Sequence, residues 1–277
     1  MSLFITSLNS GSNGNCYYIG NATEAVLVDV GISCREVEKR MKDLGLSMDK
    51  VKAVFVSHEH SDHIRGLGML SNKYRLPVYI TQPTLRNGRL YLDKELIRYF
   101  SGTDPIAVGD LLVTPFSKIH DAADPYSFTV AYKRLKVGVF TDIGAPCDGL
   151  VRHFSQCHAA FLESNYDTTM LDKGSYPYYL KTRIRGGQGH LSNDQALELF
   201  NTHRAPHMTH LLLAHLSKNN NCPKIVAQLF AAHAGEVQIC IASRDAATPV
   251  YEVTGSAIAV SKMQAPPHMA AAQLSFF

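Results

Sequence analysis

The stretch His58-x-His60-x-Asp62-His63 places three imidazoles and a carboxylate within six residues. At this chain's own histidine and aspartate frequencies, such a pattern arises by chance in on the order of one in a thousand sequences of this kind. It follows an apolar run, Val51 to Val56, that reads as a buried strand. A strand end is where α/β proteins present polar groups to a ligand. In a loop leaving a strand, His58 and His60 can face one side and Asp62 and His63 another. That suits two cations, and neutral imidazole with carboxylate is the donor set that zinc and its borderline relatives accept. No packing logic asks for three imidazoles and a carboxylate so close together.

Two adjacent cations need more donors, and other strand ends supply candidates. Phe116 to Ile119 leads to His120, Val139 to Thr141 leads to Asp142, and Leu211 to Ala214 leads to His215. A lone histidine at a strand end is usually a solvated loop residue, and Asp142 before Gly144 could be a plain turn residue. The His58–His63 cluster changes that weighting. The expected assignment is His58, His60 and His120 on one cation and Asp62, His63 and His215 on the other. Asp142, with two carboxylate oxygens, stands between them. Such a pair of metals, roughly 3.5–4 Å apart, would hold a bridging hydroxide for attack on phosphorus, with Asp62 orienting it.

Around this set stand residues with two readings each. Asp29 ends the strand Ala25 to Val28 and is either a turn residue or a carboxylate that accepts from a metal-bound imidazole. His190 precedes a helix that Ser192 caps. It can donate to the leaving oxygen, and the free N–H groups of that helix start suit a phosphate. Ser192 joins Ser10, Ser12, Asn13 and Asn165 as candidate substrate contacts. Glu163 ends another strand, and for Glu163 and Asn165 a structural role is an equal expectation. Lys173, Lys181, Arg183 and Arg185 interleave with Tyr176, Tyr178 and Tyr179, as a nucleic-acid track would. A solvated helix face is the preferred reading of that run.

The elements that must carry these residues alternate irregularly. Strands are expected at Phe4–Leu8, Cys16–Ile19, Ala25–Val28, Val51–Val56, Leu111–Phe116, Ser127–Tyr132, Lys136–Phe140, Ala159–Leu162, Leu211–Ala214, Val237–Ile241 and Pro249–Val253. Helices are expected from Ser33 to Leu44, from Ser192 to Phe200 and from Cys222 to Ala232. Hairpins in the middle argue for sheets covered by helices in one α/β unit, not one doubly wound sheet. With 45% apolar and 18% charged residues, the composition excludes disordered, collagenous and coiled-coil chains. Apolar runs are too short for a membrane helix. Six scattered cysteines without a CxxC motif read as reduced thiols, and so as a cytoplasmic protein. A net charge of +3 permits a polyanionic partner without arguing for one.

His58-x-His60-x-Asp62-His63, followed in order by His120, Asp142 and His215, resembles the metallo-β-lactamase fold superfamily. The resemblance covers roughly Met1 to Val253 and implies a four-layer αβ/βα sandwich with a dinuclear metal site at one edge. Asp62 matches the hydrolase and phosphodiesterase members, and the aspartate matching Asp29 usually supports a ligand. Ser7 to Cys16, Glu163 to Asp167 and Gly189 to Asn193 are similar to the branch named YycJ or WalJ. That branch implies a bacterial cytoplasmic nuclease acting on DNA from the 5′ end; with it, the residues above read as a 5′-to-3′ exonuclease in which Asp62 and His190 are catalytic and two Zn²⁺ or Mn²⁺ ions are the cofactors. No inserted domain of the larger RNA-processing relatives fits between Asp142 and His215. A small-molecule or cyclic phosphodiesterase on the same site is the alternative, and a binding protein without turnover is a third. Residues 1–255 are then the hydrolase domain and 256–277 a flexible tail. The end of that tail, Gln273, Leu274, Phe276 and Phe277, resembles a clamp-binding peptide, which would make a bacterial sliding clamp a partner beside DNA.

Overall fold

The computed structural model describes residues 1–255. The readings of 256–277 as a tail and of Gln273 to Phe277 as a clamp peptide lie outside the described residues. Strands β1 (Ser2–Asn9), β2 (Cys16–Gly20), β3 (Ala25–Val28), β4 (Val51–Phe55), β5 (Val78–Ile80) and β6 (Ile97–Tyr99) form one sheet. Strands β7 (Ile106–Val108), β8 (Leu111–Ser117), β9 (Tyr126–Tyr132), β10 (Leu135–Phe140), β11 (Ala159–Glu163), β12 (His210–Ala214) and β13 (Gln238–Ile241) form the other. The last strand, β14 (Tyr251–Thr254), returns to pair antiparallel with β1. Helices α1 (Cys34–Asp43), α2 (Ser61–Ile64), α3 (Leu67–Tyr74) and α4 (Gln82–Asn87) fall among the first set of strands. Helices α5 (Asp148–Phe154), α6 (Thr168–Lys173), α7 (Tyr178–Arg185), α8 (Asn193–His203) and α9 (Pro223–Ala231) fall among the second.

Three apolar layers explain why the central strands read as unbroken apolar runs. In β3, Val26 and Val28 face the core between the sheets, while Ala25 and Leu27 pack under α1 and α3 beside Val37, Met41, Leu67 and Leu70. In β12, Leu212 and Ala214 face the inter-sheet core, while Leu211 and Leu213 pack under α5, α8 and α9 with Phe154, Phe200 and Phe230. A strand buried on both faces cannot alternate apolar with polar. Helix, sheet, sheet and helix thus stack in four layers, the αβ/βα sandwich that the resemblance implied. The helix starts are fixed locally. Ser33 accepts from the Glu36 N–H, and Ser192 with Gln195 forms a reciprocal cap. No helix among the described residues is long and apolar enough to cross a membrane.

The parallel strands β3 and β4, and β10, β11 and β12, all end at one edge, and β1 and β8 run in the same direction. Three backbone segments are tied together there. Asn15 N–H donates to the Asp62 carbonyl at 2.7 Å, Gly31 N–H to the Asn15 carbonyl at 2.8 Å, and Val30 N–H to the His63 carbonyl at 2.8 Å. A Cβ on Gly31 would overlap the Asp62 carbonyl oxygen, so only glycine lets the chains approach this closely. We expect Gly31→Ala to lower unfolding stability by about 1–3 kcal/mol, as overpacking of a buried contact does. Urea denaturation measures this, and an unchanged midpoint would show that the three segments can move apart freely.

Candidate metal centre

Every residue of the expected set lies at that common edge. Asp29 follows β3, His58 to His63 follow β4, His120 follows β8, Asp142 follows β10, and His215 follows β12. Asp29, Asp142 and His215 adopt left-handed backbone, with φ of 61°, 55° and 55°. Such a conformation is unfavourable for a residue with a Cβ, and it recurs where a functional geometry is enforced by its surroundings.

Ligand atoms of His58, His60 and His120 lie within 4.8 Å of one another, as do those of Asp62, His63 and His215. Asp142 reaches both sides. One group joins it to His58 and His63, another to Glu163, His190 and His215. Four of the imidazoles are held the same way, one ring nitrogen locked and the other facing inward. Ser57 Oγ donates to Asp29 at 2.7 Å, so it accepts from His58 Nδ1, 2.9 Å away. Asp29 Oδ2 accepts from His63 Nδ1 at 2.8 Å. The Gly189 carbonyl accepts from His120 Nδ1 at 3.0 Å. Glu163 Oε1 accepts from His215 Nδ1 at 2.9 Å. An acceptor behind a ring fixes its tautomer and leaves a lone pair on the far nitrogen, which is how proteins orient metal ligands.

The inward atoms fit cations. His58 Nε2 and His120 Nε2 lie 3.1 and 3.4 Å from His60 Nδ1, and one proton on His60 cannot serve both lone pairs fully. On the other side, His215 Nε2 and Asp142 Oδ2 are buried with no hydrogen-bond partner. Their nearest neighbours of opposite character stand off: Asp62 Oδ2 is 3.6 Å from His215 Nε2, and His63 Nε2 is 3.2 Å from Asp142 Oδ2 in poor geometry. Buried polar atoms without partners are rare and costly, and a divalent cation is the partner that imidazole and carboxylate together suit.

Charge divides the two sides. Burial pulls His58 well below the usual imidazole range and His120 down to about 4, so both present neutral nitrogens. Burial acts downward on His63 too, yet Asp142, Asp62 and Asp29 outweigh it and push its pKa up to about 10. Asp142, with Asp62 and Glu163, likewise outweighs burial and raises His215. Burial alone would raise Asp142, but His215 and His63 hold it well below the usual carboxylate range. The carboxylates on this side draw in positive charge, and a cation entering there displaces protons.

Sequence reasoning passed over several supporting groups. The Asn15 side-chain amide donates to Asp62 Oδ2 at 3.2 Å and lies 3.1 Å from His63 Nε2. Lys118 is buried beside the site and donates to the Thr141 carbonyl at 2.7 Å. Burial pulls its pKa down against Asp142, Asp29 and Glu163. Glu163, for which a structural role was an equal expectation, is a hub: it is fully buried and accepts from His190 Nδ1 at 2.8 Å as well as from His215. The His190 ring is partly exposed, 3.9 Å from Asp142 Oδ1. Three expected substrate contacts are spent internally. The Ser192 hydroxyl caps α8, Asn165 Nδ2 donates to the His215 carbonyl at 2.8 Å, and Ser10 Oγ accepts from the His215 N–H at 2.7 Å. Ser12 and Asn13 are exposed beside the site. On α7, Tyr178 and Tyr179 are 83% and 74% exposed.

Comparison with known proteins completes the picture. Residues 10–151 match the model of the Metallo-beta-lactamase superfamily. The chain is 36% identical over 230 residues to "Exodeoxyribonuclease YycJ" of Bacillus anthracis, a match covering 81% of this chain and 86% of that one. It is 29% identical to "Exodeoxyribonuclease WalJ" of Streptococcus pneumoniae, over 89% of this chain and 96% of that one. The fold is similar to the crystal structure of the metallo-beta-lactamase fold protein YhfI from Bacillus subtilis, with a TM-score of 0.68, 18% identity, and coverage of 91% of this chain and 100% of that one. The four-layer sandwich seen here, with a donor set fit for divalent metals where its strands end, agrees with those matches. The chain belongs to the metallo-beta-lactamase superfamily and is a metal-dependent hydrolase.

Proposed function

We propose that the protein is a DNA exonuclease that uses two divalent cations, zinc or manganese, and removes nucleotides from the 5′ end. The observation that carries this reading is the likeness to a protein named an exodeoxyribonuclease over 81% of the chain. In this reading His58, His60 and His120 would hold one cation and Asp62, His63 and His215 the other, with Asp142 available to both. Paired cations supply a water of lowered pKa and neutralise charge on the phosphoryl oxygens. Asp62 orients the attacking water as its proton acceptor. His190, hydrogen-bonded through Nδ1 to Glu163 and partly exposed, turns Nε2 to the substrate and donates a proton to the leaving oxygen. Asp29 and Ser57 keep the His63 and His58 rings in register. All six cysteines are free thiols, which supports a reducing compartment such as the cytoplasm.

End-labelled single- and double-stranded DNA and RNA, offered to protein loaded with Mn²⁺ or Zn²⁺, test the reading. The expected result is stepwise loss of nucleotides from the 5′ end of DNA, absent in a His60→Ala control. Intact polymers alongside turnover of bis(p-nitrophenyl) phosphate would transfer the same site to a small phosphodiester.

A further inference from the structure

We propose that a cleft beside the metal centre binds a second phosphate group of the substrate strand, with Arg244 and Lys218 as its cations. The inference rests on the nuclease reading and deepens it. The cleft, about 720 Å³, opens between the loop after β1, the segment after His215 and the segment after β13. That volume lies within the roughly 300–1,000 Å³ of small-ligand sites. It shares a wall with the metal centre, because Ser10 lines the cleft while its hydroxyl accepts from the His215 N–H. A phosphate lodged there is therefore fixed relative to His215 and its neighbours.

The lining is built for an oxyanion. The Arg244 guanidinium lies over the bare backbone of Gly11, where φ is 143° and a Cβ would come within 2.9 Å of Nη2. Nη2 donates to Ser12 Oγ at 3.0 Å. Nε is buried and has no hydrogen-bond partner. A guanidinium carries five N–H donors, and among the described residues this one uses a single donor and has no ion-pair partner. Lys218 is exposed on the same rim, also without an ion pair among the described residues. The acidic lining residue, Asp245, makes no ion pair with Arg244 among the described residues. Two uncommitted cations, a serine hydroxyl and a glycine-opened backbone are the parts of a phosphate site. On a strand held by its phosphates, such a subsite sets register.

The test compares 5′-phosphorylated and 5′-hydroxyl forms of one short DNA strand as substrates for the metal-loaded, full-length protein. Arg244→Gln and Lys218→Gln are measured beside Lys39→Gln, a change at an exposed α1 lysine paired with Asp43. We expect KM to rise about tenfold in the first two variants, the loss of one charge-assisted contact, with a much smaller change in kcat. A rise confined to the phosphorylated strand identifies a terminal phosphate, and an equal rise on both identifies an internal one. KM within twofold of wild type for both variants on both strands overturns the inference. Should Arg244→Gln fold poorly, the exposed Lys218→Gln decides alone. If the wild-type protein cleaves neither strand, the nuclease reading fails instead. Calorimetric titration with inorganic phosphate then decides the cleft: affinity at least fivefold weaker in Lys218→Gln and Arg244→Gln supports it, and equal affinity overturns it.

Discussion

Asp142→Ala is expected to cost more than about a hundredfold in hydrolysis and to strip the protein of bound metal. Losing a group that only supports a ligand already costs about 10–100-fold in affinity or activity. Asp142 stands closer than that. Its Oδ2 lies 3.2 Å from His63 Nε2 and its Oδ1 3.4 Å from His215 Nδ1, with His120 Nε2 at 3.9 Å. It is the carboxylate whose oxygens group with donors on both sides of the site. Its loss also removes the largest charge that offsets burial at His63 and His215, so the charged form of each ring is less favoured and the site's pull on cations weakens. Metal content after gel filtration, together with turnover of bis(p-nitrophenyl) phosphate, measures the effect. Asp142→Asn separates charge from shape, since it fills the same space and is expected to fail almost as badly. A variant that keeps its full metal content and a rate within tenfold of wild type would rule Asp142 out as a metal donor.

The candidate donors were legible in the sequence because of where the strands end. Ala25 to Val28 and Leu211 to Ala214 are apolar without a break, as strands buried on both faces must be. A polar residue immediately after such a run therefore reads as a group at the sheet edge. What the sequence hid is how those groups are aimed. The left-handed backbone at Asp29, Asp142 and His215 has no local signature, since none is a glycine. The acceptors behind the rings come from distant segments: Gly189 holds His120 across 69 residues and Glu163 holds His215 across 52. Asn165 and Ser192 looked available to substrate, but tertiary contacts and a helix cap use their polar atoms. The elements missed between Ile64 and Tyr99 are short. Strands β5 and β6 have three residues each, too few to display a period.

The same hidden aiming makes Glu163 the second place where one atom decides much. Its Oε2 accepts from the Ile143 N–H at 2.7 Å and the Leu191 N–H at 3.1 Å, while Oε1 faces His190 Nδ1 and His215 Nδ1. Burial would raise its pKa, but His190 and His215 bring it down to about 2, so it is an ionised acceptor on all four sides. A glutamine has one oxygen and one NH₂ to fill these places. The two backbone donors demand the oxygen, which leaves the NH₂ facing both imidazoles. Each ring must then accept at Nδ1 and carry its proton on Nε2. His215 Nε2 no longer offers a lone pair, and the His190 ring loses the carboxylate that accepts from its Nδ1. We expect Glu163→Gln to lower kcat by about 10²–10⁴-fold, the usual span for a lost general acid, and to weaken metal binding by about 10–100-fold. A merely structural role would lower stability and leave both untouched. The decisive comparison is a cycle with His190→Ala at saturating metal. Since Glu163 acts partly through His190, the double variant is expected to be far less impaired than the product of the two single losses. Fully multiplicative losses would mean that Glu163 serves His215 alone and that the His190 ring works without its carboxylate.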